Sequence, residues 1–372
     1  MEETKKKRIV IASVLKPVDD ARMSEKIAQT ISETGLYQVY VIGYPAKARR
    51  TSTSVIFHES AAFKRLSLRR LYRPFQILQI ILAIKPHLII ITTHELLLAA
   101  VLSKLLLRNV RVAYDVQENY FLNILYTAAF PKWLRPLVAM YVRLKEKISS
   151  PFIDLFLLAE KTYVHELPFT RDKNCIVENK LRQRSAITTK PKTDENIVLL
   201  FSGTLAPTTG ILEAIHVAIT LHTLDPAVRL KIIGYCAQAL FLSEIKNKIK
   251  GHDFIELTGG DTLVPHELIL QEIQRADFGV IAYTINPATI NRMPTKLYEY
   301  LGYQLPILLA PNPVWVQYCE RYSAHIPVHF ECPNALQILQ AIKNSSFYTS
   351  IPHEVLWDDE APKLLAAVKT LL

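Results

Sequence analysis

The chain is poor in cysteine and in uninterrupted apolar sequence. Its 372 residues include four cysteines, Cys175, Cys236, Cys319 and Cys332. None lies in a C-x-x-C pair or in any other metal-ligand spacing. Scattered single thiols argue against a disulfide-stapled scaffold or a zinc ribbon, and fit buried thiols in a reducing compartment. No apolar run reaches the roughly 20 residues that span a bilayer. The longest apolar region, residues 75–107, is cut by Lys85-Pro86-His87 and by His94-Glu95. The basic start Lys5-Lys6-Lys7-Arg8 leads into an apolar run that ends at Lys16-Pro17 without a cleavage site, so no secretory signal is expected. These features predict a cytoplasmic protein that does not cross a membrane. Repeats of solenoid period, low-complexity tracts, zinc fingers and RNA-recognition signatures are also missing.

Half the residues are hydrophobic, and the length suffices for two cores. Charge is unevenly divided. Residues 1–190 carry 31 Lys+Arg against 16 Asp+Glu, a net of +15, and residues 191–372 carry 13 against 18, a net of −5. A basic half joined to an acidic half implies a polyanionic partner for the first half only. Nucleic acid and the anionic face of a bilayer are the two candidates. Local patterning favours the bilayer: residues 62–75 and 130–147 interleave Lys and Arg with Leu and aromatic side chains, as interfacial helices do. A solvated basic face beside a core stripe is the competing explanation for each segment. An anionic membrane surface is therefore expected as a partner, nucleic acid is not, and the location is peripheral on the inner membrane face.

Strand-like runs alternate with helical patterns throughout. Residues 8–14, 37–43, 87–92, 110–114, 154–158 and 174–177 read as strands of a first set. Residues 197–201, 229–233, 254–257, 278–282, 307–309 and 326–329 form a second set. Such alternation predicts α/β architecture with parallel sheets covered on both faces. The polar stretch 184–196 reads as a linker. The expected organisation is a first doubly wound domain over 1–184, a linker over 185–196, a second domain over 197–352 and a terminal helical segment over 353–372. In such folds ligands bind at the carboxyl ends of strands.

Four loops at strand ends carry candidate chemistry. After the first strand, Lys16, Asp19, Asp20 and Arg22 precede a helix; Asp20 can cap that helix and Arg22 can face an anion, with pure capping the alternative for both aspartates. His94 leaves the end of the strand at 87–92, placed to exchange a proton near neutral pH, or to cap the next helix. Asp115 and Glu118 follow the strand at 110–114, with Asp115 as a buried structural acceptor the competing reading. Gly203, Thr204, Thr209 and Gly210 form a Gly-containing turn between a strand and a helix, a geometry that can face phosphate.

The most informative stretch runs from Asn291 to Ala310. Pro294 can stand in the first turn of a helix, Gly302 can end it, and Pro306 can open the strand at 307–310. Lys296 reads as a mobile cation near that helix start and Glu299 as an acceptor suited to sugar hydroxyls. Leu297, Tyr298 and Leu301 are core positions in any case.

Pro294-Thr-Lys-Leu-Tyr-Glu-Tyr-Leu-Gly-Tyr-Gln-Leu-Pro-Ile307 resembles the donor-site helix of glycosyltransferase family 4 and its GT-B relatives. Residues 14–23 are similar to that family's opening loop, and Asp115-Val-Gln-Glu118 to its D-x-H-E element, with Gln117 in place of the usual His. The 201–211 loop resembles the family's phosphate loop, with Thr209 where a Lys is usual. Asn291 stands where the first of two paired glutamates is expected, and Glu160 lies in a short post-strand element near the cleft. The resemblance implies a GT-B architecture, two Rossmann-like domains facing a central cleft. It implies transfer of a sugar from a nucleotide-diphosphate sugar to a hydroxyl acceptor, with retention and without a metal or other cofactor. Gly203, Thr204, Thr209, Gly210, Asn291, Arg292, Lys296, Leu297 and Glu299 would then hold the donor. His94, Asp115 and Glu118 would lie near the reacting hydroxyl, with Lys16, Asp20, Arg22 and Glu160 lining the acceptor side. A glycan or lipid-linked glycan is the implied acceptor. A binding protein that has lost catalysis through Asn291, Gln117 and Thr209 is the alternative.

Overall fold

The computed structural model describes residues 6–46, 54–60, 69–127, 130–183 and 196–372. The expected linker falls outside these residues except for Asn196, as does the first part of the basic stretch 62–75. The chain divides into two compact units. One comprises Met1–Arg182 with Trp357–Leu372, the other Gln183–Leu356.

The first unit is built on a seven-stranded sheet. Its strands are β1 (Lys7–Pro17), β2 (Tyr37–Tyr44), β3 (Val55–Glu59), β4 (Leu88–Ile91), β5 (Arg111–Val116), β6 (Leu155–Leu158) and β7 (Asn174–Ile176). The order is β3-β2-β1-β4-β5-β6-β7, every pair parallel. β1 shows how the sequence dictates this. Ile9 and Ile11 point to one face, where Trp357, Leu364 and Val368 of the terminal segment join their cluster. Val10, Ala12 and Val14 point to the other, against Ile77, Ile81 and Ala100. A strand buried on both faces needs an unbroken apolar run, which is what residues 9–14 supply. The terminal segment is a single turn over Trp357–Asp359 followed by a helix over Ala361–Leu371, rather than one helix from Trp357. The Trp357 amide donates to the Leu181 carbonyl at 2.7 Å, and its indole donates to Thr30 at 2.9 Å.

The second unit has six parallel strands: β8 (Ile197–Thr204), β9 (Val228–Tyr235), β10 (Ile255–Gly260), β11 (Phe278–Ile281), β12 (Ile307–Leu309) and β13 (His325–Pro327). Their order is β10-β9-β8-β11-β12-β13. Both units thus have the doubly wound arrangement expected from the alternation. Two cysteines correct the expectation of buried thiols: Cys332 is exposed and Cys175 half-buried, while Cys236 and Cys319 are enclosed. Among the described residues no helix is long and apolar enough to cross a membrane.

Candidate active site

In the second unit the candidate residues gather at the carboxyl ends of β8 and β11. The backbone there is tightly constrained. Gly203 is the penultimate residue of β8 with φ +94°, and Gly210 turns into the helix Ile211–Leu224 with φ +72°. A Cβ on Gly210 would lie 1.8 Å from the Ala282 carbonyl oxygen, and one on Gly234 would lie 1.7 Å from that of Gly203. Only glycine allows these backbones to approach so closely. Thr209 stands where a cation is usual, but its hydroxyl is engaged by the loop itself. It donates to the carbonyls of Thr204 (3.0 Å) and Ala206 (2.8 Å) and accepts from the Ala206 amide (3.1 Å). Thr209 therefore braces the turn and presents no charge to a ligand. Thr204 is exposed at the strand end.

The helix Thr295–Gly302 follows Pro294, which occupies the capping position rather than the first turn. Lys296 corrects the expectation of a mobile cation. Its side chain is buried, with Nζ 4.3 Å from the centre of the Phe201 ring and 5.0 Å from that of Tyr283. Among the described residues Nζ has no hydrogen-bond partner. Burial pushes its pKa down to about 7, against the raising influence of Glu299. An amino group poised between neutral and charged in an aromatic box would be held charged by a nearby anion. Gly203 is its neighbour: a Cβ there would meet Lys296 Cε at 3.9 Å. Glu299, one turn further, is also buried and accepts from His266 Nε2 at 2.8 Å. Leu297 is core. Asn291 is exposed in the turn before the helix, and the Arg292 carbonyl accepts from the Trp315 indole. The structure thus brings Gly203, Thr209, Gly210, Lys296 and Glu299 together, with Asn291 and Arg292 on the preceding loop.

His266 and Tyr283 went unnoticed in the sequence. His266 opens a helix directly after Pro265, a start signal with nothing to mark a ligand role. Tyr283 follows β11, one residue beyond the run read as a strand.

In the first unit, two loops far apart in sequence interlock. Asp20 caps the helix that follows, accepting from the amides of Arg22 (3.1 Å) and Met23 (2.9 Å). That helix starts with wide π-type turns over Ala21–Ala28 before α geometry over Gln29–Glu33. Arg22 turns inward and forks onto Asp115, Nε at 3.0 Å from both carboxylate oxygens and Nη2 at 2.6 Å from one. Both side chains are buried. Gln117 donates to Asp115 at 2.6 Å and accepts from Lys16, which also pairs with Asp20 at 3.1 Å. The Asp115 carboxylate is thus held by a guanidinium and an amide. The structure therefore favours Asp115 as the buried acceptor, which Arg22 meets through Nε and Nη2, while its Nη1 is buried without a partner among the described residues.

His94 lies in a separate cluster. Its ring packs edge-on against Tyr120, centroids 4.7 Å apart, and its Nδ1 is 2.9 Å from Lys145 Nζ. Burial pushes its pKa down to about 4, so it is neutral near pH 7 and does not titrate there as expected. An ammonium can only donate, so Nδ1 accepts and the proton resides on Nε2. Beneath it Tyr114 donates to Glu146 at 3.2 Å, and burial raises the Glu146 pKa to about 7. Glu118 accepts from Asn123, and the Glu160 carbonyl accepts from the Tyr163 amide at 3.3 Å.

The fold is similar to that of several solved proteins. Sucrose-phosphate synthase from Thermosynechococcus elongatus superposes with a TM-score of 0.73 at 10% identity, covering 98% of this chain and 99% of that one. Anabaena HepE in complex with UDP and glucose gives 0.63 at 13%, over 98% and 97%. The catalytic domain of Arabidopsis thaliana starch synthase IV, bound to ADP and acarbose, gives 0.61 at 10%, over 98% and 99%. No family model and no curated protein matches the chain. The chain has the GT-B fold of these proteins. At this identity the likeness establishes the fold, and the similarity to family 4 rests on the motifs alone.

Proposed function

We propose that the protein is a glycosyltransferase that moves a sugar from a nucleotide-diphosphate sugar to the hydroxyl of a glycan or lipid-linked glycan. The observation that carries this reading is Lys296, a buried amino group without a hydrogen-bond partner among the described residues, at the start of a helix, beside a glycine turn and one turn from a buried carboxylate. The three structural relatives described above are a sugar-phosphate synthase, a UDP- and glucose-bound protein and an ADP-bound synthase, which supports the same reading.

In this scheme Lys296 and the helix start neutralise the leaving diphosphate, aided by the amides of the Gly203–Gly210 turn. Glu299, oriented by His266, accepts from ribose or sugar hydroxyls. The bond from the anomeric carbon to the diphosphate oxygen breaks with its electron pair leaving on the diphosphate. The acceptor oxygen bonds to that carbon and its proton passes to a departing phosphate oxygen. Glu118 would orient the acceptor hydroxyl. The transfer proceeds with retention and draws on protein cations rather than a metal.

A second reading, a nucleotide-sugar-binding protein without catalysis, is favoured by the absence of any charge at Thr209. The discriminating experiment is a thermal-shift screen of nucleotide-sugars followed by donor-hydrolysis assays. A ligand that binds the native state raises the midpoint. Binding with turnover supports the transferase, binding without turnover leaves the second reading, and no binding removes both.

A further inference from the structure

The helix Arg135–Ser149 has two faces with opposite environments. Its inner face is packed: Ala139, Val142, Glu146 and Ser149 are buried. Its outer face carries Leu137, Met140, Tyr141, Leu144 and Ile148, and Trp133 stands just before it. All six are more than half exposed, from 55% at Leu144 to 74% at Trp133. Their spacing keeps them on one stripe, within roughly 100° of arc at 100° per residue. Single exposed apolar residues need no explanation, but a continuous stripe of large ones marks a surface that meets something. Exposed Lys132 and Lys147 flank it, and the stripe itself bears no acidic side chain. The neighbouring helix Leu97–Leu106 also exposes Leu98 and Leu105.

We infer that this stripe docks on an anionic lipid bilayer, and that the helix links the bilayer to the acceptor side of the first unit. Apolar residues with a Trp and a Tyr, bordered by lysines, suit the headgroup boundary. The surrounding half of the chain has the complementary charge, with 31 basic against 16 acidic residues over 1–190. A second copy would instead bring like charges together around the same stripe. The link to chemistry is Lys145, on the same helix, whose Nζ reaches His94. One rigid element thus carries a lipid-facing stripe and a residue that orients a candidate acceptor-site side chain. An acceptor that is itself an amphiphile, a hydroxyl-bearing headgroup on a lipid anchor, fits that arrangement. This last step rests on the transferase reading, whereas the docking surface does not.

Flotation of the full chain with vesicles tests the inference. Vesicles of phosphatidylcholine with 30% phosphatidylglycerol should carry the protein, and pure phosphatidylcholine vesicles should carry much less. The triple variant Leu137→Ser, Met140→Ser and Leu144→Ser should lower partitioning by about tenfold or more, since each side chain loses apolar burial. Lys132→Glu with Lys147→Glu should weaken binding to anionic vesicles at low salt. Unchanged melting and unchanged nucleotide-sugar binding by the triple variant keep the result apart from misfolding and from the donor reading. No flotation, or flotation that the triple variant retains, overturns the inference. So does a lipid-free mass by light scattering that is dimeric for the native chain and monomeric for the triple variant.

Discussion

Lys145 donates to Nδ1 of His94 across 2.9 Å, and this contact fixes which nitrogen of the imidazole holds the proton. With its pKa pushed down to about 4 by burial, His94 presents an Nε2–H donor throughout the neutral range. The sign follows directly. The unfolded chain takes up a proton near the ordinary value of about 6.5, the folded one only near 4. Stability contributed by this group is present above 6.5 and is lost as pH falls towards 4. NMR titration of the His94 ring should show an apparent pKa below 5 and the Nε2–H tautomer at pH 7. A midpoint near 6.5 would restore His94 as a candidate base.

Lys296 makes a sharper pH prediction. Its folded pKa of about 7 lies below the ordinary 10.5, so the unfolded state binds the extra proton between those values. The cost of burying the charge is greatest below pH 7 and fades as pH rises towards 10.5. Lys296→Met should therefore raise the melting temperature most at pH 6 and little at pH 10. It should also abolish nucleoside-diphosphate binding. In the native protein at pH 8.5, binding should be accompanied by proton uptake, because the diphosphate stabilises the ammonium. Calorimetry in two buffers of different ionisation enthalpy measures this. Identical heats would remove Lys296 as the partner of the diphosphate.

His266 and the buried Glu299 pair 2.8 Å apart beside Lys296, in the proposed donor site. Glu299→Gln keeps the size and one acceptor oxygen but removes the charge, and should reduce transfer by roughly 10²–10³ with the melting temperature almost unchanged. His266→Ala should raise KM more than it lowers kcat, since His266 positions the carboxylate. Native turnover by Glu299→Gln would show that this carboxylate does not bear on the transition state.

The contrast between these sites shows what the sequence could reveal. The helix Thr295–Gly302 was legible because Pro294, Lys296, Glu299, Gly302 and Pro306 are close in the chain and their spacing survives folding. The paired strand sets were legible because doubly buried strands need continuous apolar runs. The short edge strand β3 was missed, since Val55-Ile-Phe-His-Glu59 ends in two polar residues and meets one neighbour only. The clasp of Arg22 on Asp115 spans 93 residues, and no local pattern encodes it. The burial of Lys296 was equally hidden. It depends on Phe201 in β8 and on Tyr283 just beyond β11, which are distant from Lys296 in the chain.

The glycine turn offers a test of the proposed donor site through stability. Gly210 and Gly251 both have positive φ, at +72° and +84°. At Gly251 an added Cβ meets nothing within 4 Å, whereas at Gly210 it would lie 1.8 Å from the Ala282 carbonyl oxygen. Gly251→Ala should thus cost only the backbone term, about 1–2 kcal/mol. Gly210→Ala should cost about 2–5 kcal/mol, because the backbone must also move apart. That movement displaces the turn next to Lys296, so Gly210→Ala should lose nucleotide-sugar affinity while Gly251→Ala keeps it. Melting curves and donor binding measured on both variants decide the point. Equal losses of stability in the two would mean that the close approach at Ala282 does not hold this turn in place.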